Sequence, residues 1–194
     1  DHLDYYGDME HYFEAKKSLF TPAHSRCGVV CVDDEWGLRL AQESEVPVTT
    51  VSVFSHREAD WTVRRINFDR AIPAVTFDLV TPQGNERHIR MPMLGEVNVQ
   101  NAVVALVAAL KLGCEFEAAV SALEGAEQIP GRMTSVNPDP GAQPLVIVDF
   151  AHTPEGLDWT LKSVRELTRG KLVLVFGTDG DRDATKREPL AGIA

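Results

Sequence analysis

The stretch from Asn98 to Leu112 limits the possible folds more than any other part of the chain. It reads Asn-Val-Gln-Asn-Ala-Val-Val-Ala-Leu-Val-Ala-Ala-Leu-Lys-Leu and is stopped by Gly113. A helix that is apolar nearly all round belongs inside a fold, so it predicts layers of other elements around it. Candidate strands lie upstream, at Cys27–Val32, Val48–Phe54, Trp61–Phe68, Ala74–Val80 and Arg87–Met93. The first ends at Asp33-Asp34, and Pro47 stands just ahead of the second, whose β-branched residues suit a pleated surface. Pro82-Gln-Gly-Asn85 separates the last two as a turn, which predicts an antiparallel hairpin. Shorter helices are predicted near Trp36–Gln42 and over Glu115–Leu123.

Beyond Pro130-Gly131 the pattern changes. Leu145–Val148, a helix from Pro154 to Leu167, and Leu172–Phe176 read as a β-α-β unit. Thr153 is a suitable N-cap, with Pro154 at the first helical position. Such a unit implies parallel strands in an α/β layer fold. A boundary at 130/131 divides the chain into residues 1–130 and 131–194.

The 194 residues can bury a substantial core. A net charge of −10 argues against a general binder of nucleic acid or anionic membrane, because like charge repels phosphate. A nucleotide needs only a few local donors and stays allowed. No apolar run reaches transmembrane length and no signal peptide is visible. The three cysteines are odd in number, and Cys27 and Cys31 flank an apolar Gly-Val-Val run. They read as core thiols in a reducing cytoplasm rather than half of a zinc site. The start at Asp1 and the stop inside a helical pattern suggest an excerpt of a longer protein.

Chemistry is suggested at several places. In the helix that follows Asp8, Lys16 falls seven residues after Met9 and four after Tyr12, on their apolar face. An ammonium buried there is costly unless paired, neutralised or altered. Asp1-His-Leu-Asp4 offers an imidazole and two carboxylates as a setting for a metal ion. The simpler reading is that Lys16 snorkels, or that Lys17 at the edge of the stripe does so. Two strand ends are also polar and crowded: Asp149-Phe-Ala-His-Thr-Pro154, and Gly177-Thr-Asp-Gly-Asp-Arg-Asp183 followed by Lys186-Arg187. Open α/β sheets bind ligands at such ends, although this is no Gly-x-Gly-x-x-Gly fingerprint. Asn98 suits an N-cap, and Asn101 one turn on carries an amide that can read an adenine edge.

These segments in this order resemble the Mur ligase family. The motifs are Asp1-His-Leu-Asp-Tyr with Ala15-Lys16 and Leu19-Phe20, Leu94-Gly95 with Asn98-Val-Gln-Asn101, Pro130-Gly-Arg-Met133, Asp149-Phe-Ala-His-Thr-Pro154, and Gly180-Asp-Arg-Asp183 with Lys186-Arg187. The resemblance is closest to the branch that adds the third residue of the peptidoglycan stem peptide. Folylpolyglutamate synthases share the plan, but Asp-Phe-Ala-His-Thr-Pro with Gly-Asp-Arg-Asp looks more like the Mur branch.

The resemblance implies an α/β chain: part of a central ATPase domain (1–130), then the start of a Rossmann-like C-terminal ligase domain (131–194). It implies ATP-dependent amide ligation through an acyl phosphate in the cytoplasm. The substrates would be UDP-N-acetylmuramoyl-L-Ala-D-Glu and a diamino acid, diaminopimelate in preference to lysine. Neither nucleic acid nor membrane insertion is expected. Lys16 matches a lysine carbamylated by CO2 that helps to hold Mg²⁺, and His2 matches a magnesium ligand. Asn101 would contact adenine, Asp149 the ribose, and Arg132 the ribose or phosphates, unless Arg132 forms an interdomain salt bridge. His152 would lie by the nucleotide or orient its loop. Arg182 would bind the incoming amino acid, or else pair with Asp181 or Asp183. The chain departs from the pattern at Val97, where an aromatic is usual, at Asp179 in place of a glycine, and at Tyr6 in place of a histidine. It has no Gly-x-x-Gly-Lys-Thr/Ser phosphate loop, which in this family precedes Asp1, so this piece is expected to lack activity alone.

Overall fold

A computed structural model describes residues 3–55, 57–69, 74–136, 144–178 and 184–194. Two short helical pieces open it, α1 (Leu3–Tyr6) and α2 (Met9–Lys17), the second capped by Asp8, whose carboxylate accepts from the His11 amide at 2.9 Å. Then come β1 (Gly28–Cys31), α3 (Glu35–Glu43), β2 (Val48–Ser52), β3 (Trp61–Asp69), β4 (Ala74–Val80) and β5 (Glu86–Met91). The five strands form one sheet in chain order. β1 runs parallel to β2 and β2 to β3, whereas β3–β4 and β4–β5 are antiparallel. The α3 crossover explains the first parallel pair, and the turn at 81–85 makes the expected hairpin.

The sheet is covered by α4 (Glu96–Lys111), which contacts β1 and β4, and by α5 (Phe116–Glu124), which contacts β5. Val99, Ala102, Val103, Leu106 and Val107 of α4 meet Val75, Phe77 and Leu79 of β4 in one fully apolar cluster. Their spacing is that of a single helix face. The expectation of burial all round is therefore corrected: Ala105 and Val97 face outward, and a small side chain such as alanine loses little by exposure. Gly113 ends the helix with φ +94°, and the Cys114 and Gly113 amides bond back to Ala109 and Leu110 at 3.0 Å. That pairing satisfies two terminal carbonyls and explains why a glycine stands there.

The sequence expectation about Lys16 is also corrected. Lys16 is exposed, its amine 5.3 Å from the Tyr12 ring centroid. Lys17 is the half-buried lysine, paired with Glu14 at 2.7 Å and Glu43 at 2.8 Å. Arg39 of α3 joins Glu43 and reaches Glu10 of α2, so α2 and α3 are linked by an ion-pair network. The helical turn brings Phe13, not Lys16, into the interior, where its ring lies 5.4 Å from Trp36. Cys27 is exposed rather than a core thiol, because the strand begins only at Gly28; Cys31 is half-buried.

The second segment holds β6 (Thr134–Ser135) and β7 (Ile147–Val148), paired antiparallel, then α6 (Pro154–Leu167) and α7 (Arg187–Ile193). Thr153 caps α6, accepting from the Gly156 amide at 3.1 Å. The expected β-α-β unit is not completed. Residues 171–178 form no ladder among the described residues, and Val173 and Val175 are 78 % and 93 % exposed. An alternating apolar run becomes a strand only where a neighbour supplies ladder hydrogen bonds and a face to bury. No described helix is long and apolar enough to cross a membrane.

Candidate nucleotide-binding junction

The two segments meet where the first turn of α4 faces the Pro130-Gly-Arg-Met133 turn. Gly95, not Asn98, occupies the N-cap position of α4. Its φ of +89° suits glycine, and a Cβ there would come within 3.2 Å of the Met133 side chain. Asn98 is buried one turn inside, and its amide donates to the Leu94 carbonyl at 2.6 Å and the Arg132 carbonyl at 3.3 Å. The N-cap expectation for Asn98 is thus corrected to a tie between the two segments. Asn101, three residues further on the same helix, is exposed.

Across the junction, Asp149 follows β7 and organises the turn. Its Oδ1 accepts from the Met133 amide at 3.2 Å and from its neighbour Phe150 at 3.0 Å. Its Oδ2 accepts from the Thr160 hydroxyl of α6 at 2.5 Å. A carboxylate has about four lone-pair positions, so three donors leave one open for a further hydroxyl. The Phe150 amide also donates to the Gly131 carbonyl at 2.8 Å. Met133 has φ +52°, a left-handed backbone that few side chains adopt, and its burial holds it there. Its neighbour Arg132 is exposed and lies 5.3 Å from the Phe150 ring centroid. The guanidinium forms no ion pair among the described residues, so the salt-bridge alternative is not the arrangement seen. His152 Nδ1 lies 3.1 Å from the Phe150 carbonyl, to which it donates, and its ring contacts the Phe150 ring.

Asn98, Arg132, Asp149 and His152 are therefore joined through shared hydrogen bonds and ring contacts, with Asn101 on the adjoining helix turn. His2 and Arg182, with Asp181 and Asp183, lie outside the described residues. Among the described residues, no three His, Cys, Asp or Glu side chains gather as a metal site.

Sequence reasoning missed Asp33. It was read only as a strand terminator beside Asp34, yet Asp34 caps α3 while Asp33 is a hydrogen-bond hub. Its carboxylate accepts from the amides of Val53, Phe54 and Ser55 at 3.0–3.2 Å and from the hydroxyls of Ser52 and Ser55 at 2.9 Å. The Cys31 thiol donates to it at 3.2 Å. Burial alone would push its pKa up, but the Ser55 and Val53 amides, the thiol and the Ser52 hydroxyl outweigh it and hold it at about 2. Burial pushes the Cys31 thiol itself up to about 11, so it stays a neutral donor. A depressed carboxyl stabilises the fold above its ordinary value near 3.8, and that contribution is lost as pH falls towards about 2. The stability gap between the protein and an Asp33→Asn variant is thus expected to be full at mildly acid pH and to shrink below pH 3.8. Denaturant midpoints across that range measure it, and a gap independent of pH contradicts the hub.

Comparison with known proteins places these features. Residues 1–109 match the Mur ligase middle domain and residues 131–194 the Mur ligase glutamate ligase domain. The UDP-N-acetylmuramyl-tripeptide synthetase of Leifsonia xyli is 42 % identical over 198 aligned residues, covering 100 % of this chain and 38 % of that protein. The UDP-N-acetylmuramoyl-L-alanyl-D-glutamate–2,6-diaminopimelate ligase of Streptomyces coelicolor is 40 % identical, over 98 % of this chain and 37 % of its own length. A solved structure of a UDP-N-acetylmuramoyl-L-alanyl-D-glutamate–2,6-diaminopimelate ligase superimposes with a TM-score of 0.69 at 34 % identity, over 100 % of this chain and 39 % of the other. The chain thus spans less than two fifths of the curated relatives it matches. With both domain types present in order and relatives similar along its whole length, the chain belongs to the Mur ligase family.

Proposed function

We propose that the full-length protein is an ATP-dependent amide ligase that adds the third amino acid, diaminopimelate, to UDP-N-acetylmuramoyl-L-alanyl-D-glutamate in peptidoglycan precursor synthesis. The observation that carries this reading is the junction in which Asn98 and Asp149 hold the Arg132 turn between two segments. Relatives named for that reaction, 40–42 % identical over nearly the whole chain, support it. In this proposal the boundary falls at 130/131, between an ATP-binding segment and the start of the ligase domain.

The exposed amide of Asn101 presents a donor and an acceptor side by side, which matches an adenine edge. The open lone pair of Asp149 takes a ribose hydroxyl. The Arg132 guanidinium, 5.3 Å from the Phe150 ring centroid, offers forked donors to phosphate oxygens. His152 keeps the Phe150 carbonyl in place and thereby the turn that carries Asp149. Arg182 is assigned to the carboxylate of the incoming amino acid. ATP supplies the phosphoryl group that activates the peptide carboxylate for attack by the amine.

Mg²⁺ is the expected companion of ATP. The described residues by themselves do not form a site for it, so no step is derived through the ion. We assign its protein contacts to His2 and to a carbamate on Lys16, on the family resemblance. Exposure on α2 leaves the Lys16 amine accessible to CO2. The cytoplasm is the proposed compartment, since ATP and the nucleotide-linked precursor are met there.

Phosphate release by the full-length protein with ATP and UDP-N-acetylmuramoyl-L-alanyl-D-glutamate tests the reaction. Turnover is expected with diaminopimelate, little with lysine, and none with a folate acceptor and glutamate. Preference for lysine would shift the acceptor, and turnover only of the folate pair would overturn the assignment.

A further inference from the structure

The Asp33 hub lies on neither the substrate-facing turn nor the core, yet it is tied to both sides of the junction. On one side, Gln100 of α4 donates its side-chain amide to the Cys31 sulfur at 2.9 Å, and that thiol donates on to Asp33. Gln100 also reaches Asp33 itself, at 3.5 Å. Gln100 sits between Asn98, which holds the Arg132 carbonyl, and Asn101. A tether at residue 100 therefore sets the rotation of the first turn of α4, and with it the direction of the Asn101 amide.

On the other side, Asp33 gathers the amides of residues 53 to 55 and so fixes the loop after β2. That loop carries Phe54, whose ring lies 5.4 Å from Trp159 on α6. The next residue, Thr160, donates to Asp149 Oδ2. One carboxylate thus reaches the helix of Asn101 by one route and the helix that braces Asp149 by another. A half-buried carboxylate satisfied by many donors specifies a single local arrangement, since losing one acceptor leaves several donors unpaired.

We propose that Asp33 is a positioning residue of the nucleotide site, aiming Asn101 through Cys31 and Gln100 and seating Asp149 through Phe54, Trp159 and Thr160. This rests on the reading of Asn101 and Asp149 as nucleotide contacts. Asp33 touches no substrate; it makes the two contacts simultaneous. The isosteric Asp33→Asn change keeps the volume but replaces one accepting oxygen with an amide NH2 donor that faces other donors.

The test uses the full-length protein, with kcat and KM measured for ATP and for GTP. Asp33→Asn is expected to raise KM for ATP about tenfold, an effect within the usual range of coupling between contacting residues, while kcat stays within about twofold. Preference for ATP over GTP should fall with it, because a rotated Asn101 reads neither base well. Gln100→Ala should give the same shift, and the double variant no more than the larger single one. A purely structural role predicts a lower melting temperature with the base preference intact, and that result overturns the proposal, as does additivity of the two changes. Should Asp33→Asn fail to fold, Gln100→Ala stands in for it: it removes both the Cys31 and the Asp33 contacts of residue 100 while leaving the loop amides anchored, and the same shift in preference is required of it. Asn101→Ala is the control: if it leaves ATP affinity and base preference untouched, the nucleotide reading itself has failed and the positioning role falls with it. If Asn101→Ala removes the preference and Asp33→Asn does not, only the positioning role is lost.

Discussion

Replacing Lys16 by alanine in the full-length protein is expected to lower kcat by roughly three orders of magnitude. The proposed carbamate on Lys16 would be an anion holding a divalent cation, worth several kcal/mol of charge stabilisation, and its loss converts at about 1.4 kcal/mol per tenfold in rate. Stability should hardly move. Lys16 is exposed, Lys17 and not Lys16 makes the ion pairs to Glu14 and Glu43, and alanine is the best helix former. A short carboxylic acid in the buffer is expected to restore part of the rate by standing in for the lost carboxylate. Steady-state rates beside a thermal melt separate the two readings of this residue. A snorkelling lysine predicts an unchanged kcat, and full turnover in the alanine variant would exclude the carbamate role.

The largest effect on stability is expected at Phe77. Its side chain is 0 % exposed in β4, an interior strand of the sheet, within the cluster that includes Val63, Ile89, Val103 and Val107. Phe77→Ala removes most of a ring from a close-packed interior, with a cost of about 3–5 kcal/mol. For a domain of this size that corresponds to a fall in Tm of roughly 6–20 °C. Val97→Ala, on the exposed side of α4, should leave the melt almost where it was. Scanning fluorimetry of both variants checks the contrast. Equal shifts would mean that α4 does not bury the face assigned to it.

The elements set by short-range signals were the legible ones. The α6 helix runs from Pro154 to Leu167 as read, because Thr153 caps it and Pro154 fits its first position. Ala74–Val80 was also read to the residue, since alternation and the following turn delimit it. The hairpin it forms with β5 followed from Pro82-Gln-Gly-Asn85. The candidate site residues were singled out in another way: Arg132, Asp149 and Asn101 were proposed from the resemblance of ordered motifs, and composition alone would not have marked them.

What failed did so where a partner distant in sequence decides the outcome. Leu172–Phe176 has strand composition but no neighbour among the described residues to receive its ladder. Lys16 was placed on the buried face by spacing, but α3 packs against the side that carries Phe13 and Lys17, and a rotation of one residue about the helix exchanges the two lysines. Asp33 looked like a strand terminator because five of its donors come from residues 52–55, some twenty positions away. Asn98 looked like a cap, and only the approach of the 130–133 turn gave its amide a second carbonyl to bind.

By itself the sequence determined the class of the fold, the helices and strands with strong local punctuation, and the family to which its ordered motifs belong. Caps, turns and period are properties of neighbouring residues, so they survive without knowledge of the fold. The tertiary structure alone decided which lysine is paired, which asparagine faces outward, and that one aspartate gathers a loop, a strand end and a helix turn. Those outcomes depend on which donors and apolar faces meet in space, and no local propensity encodes that.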